Sequence, residues 1–387
     1  MAVYIHIPFC IRKKCPYCDF YSIPYKSGVE EKRYVAALLR ELELRRGEID
    51  TLETIFIGGG TPSCFDAGSI ARIIEFINNN FSIADGAEIT LEANPSSVDA
   101  EKLRALRHAG INRISLGVQS FDDAELKSLG RLHDPKSAIE ALYIIKNYFE
   151  NFSLDLIYAL EGQTVGGWIR NVETALSFAP PHVSAYELTP EVGTPFGARL
   201  QSGEASLPAE DDIAMMYNLA DELFGSAGLQ HYEISNFAVD GFQCQHNQNY
   251  WRRGLYMGIG AGAHSHIHAD GQRFSVRTSN AADLTQYLSA IEDGTLPVDE
   301  MTVIDGSERL KEDIFLGLRT SDGISRDKLA EAGVEMQTLN ALVENGLAEL
   351  NETSFRLTRE KGFLVSNRII GLIIDKISYS PNRVWNV

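Results

Sequence analysis

Three cysteines crowd into nine residues near the start of the chain, Cys10-Ile-Arg-Lys-Lys-Cys15-Pro-Tyr-Cys18. Thiols at that spacing converge on one metal centre. A structural zinc site takes four ligands, and His6 would complete a Cys3His set. A cubane iron–sulfur cluster normally takes four thiolates, so three leave one iron open to a small molecule. Arg12, Lys13 and Lys14 offset the charge of thiolates or cluster in either case. Spacing alone leaves both metals open. The remaining cysteines, Cys64 and Cys244, read as small packed side chains.

The other residues with chemistry stand at the ends of β-rich runs, expected at residues 3–7, 53–57, 88–91, 113–118, 153–158 and 183–188. The cysteines follow the first run and Gly58-Gly59-Gly60-Thr61-Pro62 the second. The third ends in Glu92-Ala93-Asn94-Pro95, the fourth in Gln119-Ser120, and the fifth contains Asp155. Between them the apolar residues keep a helical period, as in Ile70, Ile73, Ile74 and Ile77, and Asp99 is placed to cap a helix. Strand and helix alternating six times predict an α/β fold with a parallel sheet and right-handed crossovers. Chemistry in such folds belongs at the carboxyl ends of the strands, so these ends point at one shared site. Residues 190–208 read as a long connection, residues 211–225 as a helix, and a winged-helix-like module follows from about residue 310.

The 387 residues are 44% hydrophobic and 23% charged, an ordinary globular balance. A net charge of −18 argues against binding nucleic acid, which needs clustered Lys and Arg. The start lacks the charged and apolar stretches of a signal peptide. The run at residues 369–374 falls far short of the ~20 apolar residues of a membrane span. An odd number of cysteines, three of them crowded together, makes a poor disulfide framework; a reducing cytoplasm is the expected home.

The order of motifs decides between the metals. Tyr4-Ile-His-Ile-Pro-Phe-Cys10 with Cys15-Pro-Tyr-Cys-Asp-Phe20 resembles the opening of radical S-adenosylmethionine (SAM) proteins related to oxygen-independent coproporphyrinogen III oxidase. Ile57-Gly-Gly-Gly-Thr-Pro62, Leu91-Glu-Ala-Asn-Pro95, Ser115-Leu-Gly-Val-Gln-Ser-Phe121, Leu129-Gly-Arg131 and Asp155-Leu-Ile-Tyr158 follow in that family's order. The resemblance implies a six-unit (βα) partial TIM-type barrel with a C-terminal α+β extension containing the winged-helix-like module. Residues 1–190 would form the barrel, 191–305 a connecting and heme-associated region, and 306–387 the C-terminal domain. It implies a [4Fe-4S] cluster on Cys10, Cys15 and Cys18, whose open iron binds SAM and whose electron cleaves it to a 5′-deoxyadenosyl radical. Gly59, Gly60 and Thr61 match positions that hold the SAM amino group. Glu92, Gln119, Arg131 and Asp155 match further SAM contacts, Tyr17 a position beside the adenine, and Tyr4 another contact. The family spaces its first two cysteines by three residues and this chain by four, Ile11 to Lys14; the additional residue adds up to ~3.5 Å of chain. Tyr158-Ala-Leu-Glu-Gly-Gln163 carries Ala and Glu where the family usually has Gly and Pro.

Within the family, the oxidases carry a fourth cysteine two residues after the third. Here that position is Phe20, and Asp19-Phe20-Tyr21-Ser22 resembles the HemW branch, the heme chaperones. His246-Asn-Gln-Asn-Tyr250-Trp251 resembles the HNxxYW motif of the same branch. Imidazole is a natural axial ligand for heme iron, which makes His246 the candidate ligand, with Tyr250 and Trp251 offering flat surface to a porphyrin. The resemblance thus implies heme as bound cargo and heme-accepting proteins as partners, respiratory enzymes among them. It also implies an electron donor such as a flavodoxin or ferredoxin, and leaves room for a peripheral membrane contact and a homodimer. It assigns no residue a catalytic role of its own. The alternatives are a coproporphyrinogen III oxidase or dehydrogenase, and a zinc-stabilised binding module without radical chemistry.

Overall fold

A computed structural model describes residues 1–11, 14–268, 274–375 and 377. The first strand, β1 (Ala2–Ile7), leads into a loop closed at its base by the two-residue strands β2 (Phe9–Cys10) and β3 (Ile23–Pro24). Helix α1 (Gly28–Leu44) then returns to β4 (Leu52–Gly59). The step repeats through α2 (Ala67–Asn80) to β5 (Ile83–Ala93) and through α3 (Ala100–Ala109) to β6 (Arg113–Gln119). Helices α4 (Asp123–Ser128) and α5 (Pro135–Tyr148) lead to β7 (Asn151–Tyr158), and α6 (Val165–Leu176) to β8 (His182–Glu187). Strands β1, β4, β5, β6, β7 and β8 pair side by side, all parallel, as the sequence predicts for an α/β fold.

The helices form where the sequence caps them and keeps one apolar face. Ser27, Asp66, Asp99, Asp134 and Thr164 each accept an amide hydrogen bond from the first turn that follows, each cap being worth about 1 kcal/mol. Ile70, Ile73, Ile74 and Ile77 of α2 are buried, as are Trp168, Val172 and Ala175 of α6. They pack on the outer sheet face, where Val3, Ile5, Ile55, Ile57, Leu91, Ile114, Leu116, Leu154 and Leu156 form the core with them. Side chains alternate across a strand, so the intervening residues face inward. That inner set is polar or aromatic: Tyr4, His6, Phe56, Glu92, Arg113, Ser115, Asp155, His182, Ser184 and Tyr186 line cavities.

The second half adds to the same sheet. Residues 190–208 are not a bare connection: α7 (Pro195–Gln201) forms within them, with Pro195 at its first turn and a Thr194 cap. Helix α8 (Glu210–Ser226) precedes β9 (Gln230–Glu233) and β10 (Asn236–Ala238), which extend the sheet antiparallel beyond β8. After α9 (Gln245–Trp251), β11 (Tyr256–Ile259) inserts parallel beside β1, a seventh parallel strand that its glycines hide from the sequence pattern. A Cβ at Gly258 would stand 2.0 Å from the carbonyl oxygen of His264, so only glycine admits this crossing. Then β12 (His264–His268), β13 (Ser275–Asn280) and, past α10 (Leu284–Glu292), β14 (Val298–Ile304) complete twelve strands, antiparallel to one another.

Helix α11 (Gly306–Gly317) opens the C-terminal part, followed by β15 (Ile324–Ser325), α12 (Arg326–Glu331) and α13 (Met336–Glu344). Strands β16 (Ala348–Leu350) and β17 (Ser354–Leu357) form a hairpin, and β15 joins β17 on its other side. Ile369, Ile370 and Ile373 are the buried face of α14 (Ser366–Ile374). Among the described residues no helix is long and apolar enough to cross a membrane.

Candidate functional site

The cysteine loop rises from the carboxyl end of β1. Tyr25 N–H donates to the Cys10 carbonyl at 2.7 Å and Ile23 N–H to Pro8 at 2.6 Å, so the loop is stapled at its base. A turn closes Cys15 to Cys18, and Phe196 of α7 donates its N–H to the Pro16 carbonyl at 2.9 Å. Gly130 (φ +67°) lets the segment after α4 pass against Pro16, where a Cβ would meet the ring at 2.9 Å. The next residue, Arg131, sends Nη1 to 3.9 Å from Cys15 Sγ and donates through Nη2 to the Gly117 carbonyl at 2.7 Å. Its buried Nε has no partner.

Beside the cysteines a cavity of about 380 Å³ is lined by Tyr17, Cys18, Gly59, Gly60, Thr61, Glu92, Gln119, Arg131 and Asp155. Nine of the sequence-predicted site residues therefore share one pocket. Gly59 has φ +118°, outside the range of ordinary side chains, and its N–H donates to Glu92 Oε2 at 2.9 Å. Gly60 and Thr61 bind back to the carbonyls of Ile7 and Phe9 at 2.9 and 2.8 Å. Gln119 holds a left-handed φ of +69° at a bulge in β6, conformational strain of the kind that collects at functional sites. The turn is braced by Ser120 and Asn171, which both donate to Glu125 Oε2 at 2.5 and 2.8 Å. Asp155 accepts from Ser115 at 3.0 Å and Ser153 at 3.2 Å. Burial outweighs those bonds and raises its pKa. Glu92 is pushed up to about 7 by burial, against the opposing Gly59 N–H, with the nearby Asp155 adding to the rise.

Among the described residues no three His, Cys, Asp or Glu side chains are gathered into a ready-made ion site. The thiols are free and half-buried. Burial raises Cys18, and Cys10 and Cys15 are near enough to add to the rise while Lys14 opposes it. Arg12 and Lys13 lie outside the described residues. His6 is not a spare ligand for zinc: Nδ1 meets the Tyr4 hydroxyl and Nε2 the Tyr21 carbonyl, both at 3.0 Å. Burial lowers its pKa to about 4.

A second chamber of about 500 Å³ shares Phe20, Glu92, Ser115, Asp155 and Tyr186 with the first, so the two adjoin. Tyr4 lines this chamber rather than the first pocket, its ring against the position of Gly58, where a Cβ would meet Tyr4 Cε2 and Glu92 Oε2 at 3.0 Å each. His246 and Tyr250 of α9 also line it, whereas Trp251 faces a separate cavity against the C-terminal part. The aromatic pair expected to form one flat surface is thus split between two sides of the helix. His246 is 1% exposed, with Nδ1 2.8 Å from Thr54 Oγ1 and Nε2 2.9 Å from the Tyr250 hydroxyl. As placed, neither ring nitrogen is free for an iron.

Comparison with known proteins fits this architecture. Residues 4–174 match the radical SAM superfamily and residues 304–365 the HemN C-terminal domain. The chain is 35% identical to the heme chaperone HemW of Bacillus subtilis, covering 97% of this chain and 100% of that protein. It belongs to the HemW family of radical SAM proteins. The family member of Haemophilus influenzae is 43% identical over 69% of this chain and 70% of its own length. The fold is that of coproporphyrinogen III oxidase (HemN) from Escherichia coli, with a TM-score of 0.81 at 22% identity, covering 97% of this chain and 90% of that one.

Membership of the radical SAM superfamily implies a [4Fe-4S] cluster and SAM, and the residues present fit both. Three reduced thiols, a guanidinium beside one of them and a buried unpaired Arg131 N–H suit thiolate sulfur and a bound carboxylate. Two carboxyl groups and a glycine-walled pocket suit a cationic nucleoside. Sequence reasoning missed the wall of the second chamber, Phe56, Arg113, His182 and Tyr186. The available signal was a polar or aromatic residue at every second position of otherwise apolar strands. Directly after β7, Ala159 is buried at φ +60°, a left-handed conformation that glycine adopts more readily.

Proposed function

We propose that this chain is a heme chaperone of the radical SAM type, binding heme and passing it to acceptor proteins, respiratory enzymes among them. The end-to-end likeness to a heme chaperone carries this reading. It is supported by Phe20, 68% exposed at the junction of the two chambers, where a coproporphyrinogen oxidase would carry its fourth cysteine. Cys10, Cys15 and Cys18 hold the cluster. Gly59, Gly60 and Thr61 receive the SAM amino group, Glu92, Gln119, Arg131 and Asp155 its remaining polar groups, and Tyr17 flanks the adenine. When bound, the cluster supplies one-electron reduction of SAM. Tyr4 backs Glu92, and His246 belongs to the wall of the chamber that takes the heme. Residues 1–190 carry the cluster and SAM, 191–305 the heme-associated region and 306–387 the C-terminal domain. The protein works in the cytoplasm with a flavodoxin- or ferredoxin-like electron donor, and a homodimer and a peripheral membrane contact fit the same role.

Anaerobic titration with heme, then mixing with a heme-free acceptor, tests this. A stoichiometric Soret band that moves to the acceptor is expected. No heme uptake, or conversion of coproporphyrinogen III to protoporphyrinogen in the presence of SAM and reductant, would sink it.

Glu92 gives the SAM assignment a pH signature. Tyr4, Tyr186, Tyr250, Asp155 and Arg113 are the ionisable groups that interact with it. With its carboxyl pushed up to about 7, ionisation spans pH 6 to 8. A carboxylate attracts the sulfonium and a neutral acid does not, so SAM binding should tighten about tenfold over that interval. In Glu92→Gln this part of the pH dependence should vanish. Equal slopes in both proteins would remove Glu92 from the SAM site.

A further inference from the structure

The second chamber carries an observation that its motif does not explain. Four histidines line it: His6, His182, His246 and His264. In His6 the two ring nitrogens bind Tyr4 and the Tyr21 carbonyl, and in His246 they bind Thr54 and Tyr250. In His182, Nδ1 is 2.8 Å from Ser153 Oγ and Nε2 2.8 Å from the Tyr232 hydroxyl. All three imidazoles are buried and held neutral by burial. His264 differs. It is exposed, and neither ring nitrogen has a hydrogen-bond partner among the described residues.

Its backbone is nonetheless fixed. His264 opens β12, and its backbone is pressed against Gly258 so closely that any side chain there would collide with it. It lies near enough to His6 for its charge to oppose protonation of that ring. The chamber also carries a second free donor. Buried Arg113 has an Nε 4.0 Å from Glu88 and no hydrogen-bond acceptor. An unengaged imidazole, aromatic walls and an unpaired guanidinium N–H together match an iron porphyrin with propionate arms.

We propose that His264, not His246, is the protein ligand to the heme iron, with the heme seated in the chamber that adjoins the SAM pocket and Arg113 donating to a propionate. This rests on the chaperone reading above. To reach an iron, a His246 ring nitrogen must give up its buried bond to Tyr250 or Thr54, and His264 needs no such step.

The test is an anaerobic heme titration of the full chain, read by Soret position, EPR spin state and Kd. His264→Ala should weaken binding at least tenfold and change the spin state, and added imidazole should restore the wild-type spectrum. As an exposed residue it should leave the melting temperature unchanged. If His264→Ala binds heme with wild-type spectrum and affinity, another group holds the iron and this inference falls, with the chaperone reading intact. If wild type takes up no heme, both fall together.

Discussion

Anaerobically reconstituted wild-type protein is expected to hold roughly four iron and four sulfide per chain, and Cys15→Ala essentially none. The effect is total because no other thiol can step in. Cys64 is pushed up to about 12, chiefly by burial, and its Sγ lies 3.7 Å from the Phe9 carbonyl that it donates to. Cys244 is fully buried, pushed up to about 12 in the same way, and donates to Glu88. Both are engaged elsewhere, and neither lines the pocket beside Cys18. Cys64→Ala and Cys244→Ala should therefore keep full iron content. Iron and sulfide analysis, with circular dichroism to verify the fold, decides the matter. Wild-type iron in Cys15→Ala, or zinc in place of iron in the parent, would remove the cluster assignment and with it the radical chemistry.

Gly59→Ala should be a strongly damaging single methyl in the proposed SAM pocket. The added carbon would stand 2.7 Å from His6 Cε1, 2.8 Å from Nδ1 and 3.0 Å from the Ile7 carbonyl. His6 cannot turn aside, because both its nitrogens are held by Tyr4 and Tyr21. The φ of +118° adds backbone strain of about 1–3 kcal/mol, and the overpacking about as much again. Relief would require β4 to retreat from β1 and would pull the Gly59 N–H from Glu92, so SAM affinity should fall together with the denaturation midpoint. Gly28→Ala is the control: a Cβ there meets nothing within 4 Å. Similar urea midpoints for the two variants would show that the glycine loop is an ordinary turn.

The wall shared by the two chambers would give a physical basis for coupling SAM to heme as proposed. Glu92, Ser115, Asp155, Tyr186 and Phe20 belong to both walls, so a ligand in either pocket touches groups that shape the other. Asp155 raises the demand of Glu92 for a proton or a cation. A sulfonium bound as proposed would supply that cation from one side, an electrostatic link between the two occupants.

Much of this molecule was legible in the one-dimensional chain because its causes are local. Cysteine spacing, the glycine run, caps such as Asp99 and the isoleucine stripe of α2 each act within a few residues, and they set helix starts, helix faces and the crowding of three thiols on one loop. Alternation along each strand also determined that one sheet face would be apolar. What the other face would enclose was decided only by tertiary structure. Thr54 and His246 are 192 residues apart, yet their contact takes a nitrogen that the motif around His246 seemed to offer to iron. Tyr4 pairs with Gly258 across β1 and β11, a neighbour that no local pattern names, and the turn beyond it brings His264 to the chamber. A residue's type fixes which bonds it is able to make; the partners that reach it from distant strands fix which of those bonds remain free.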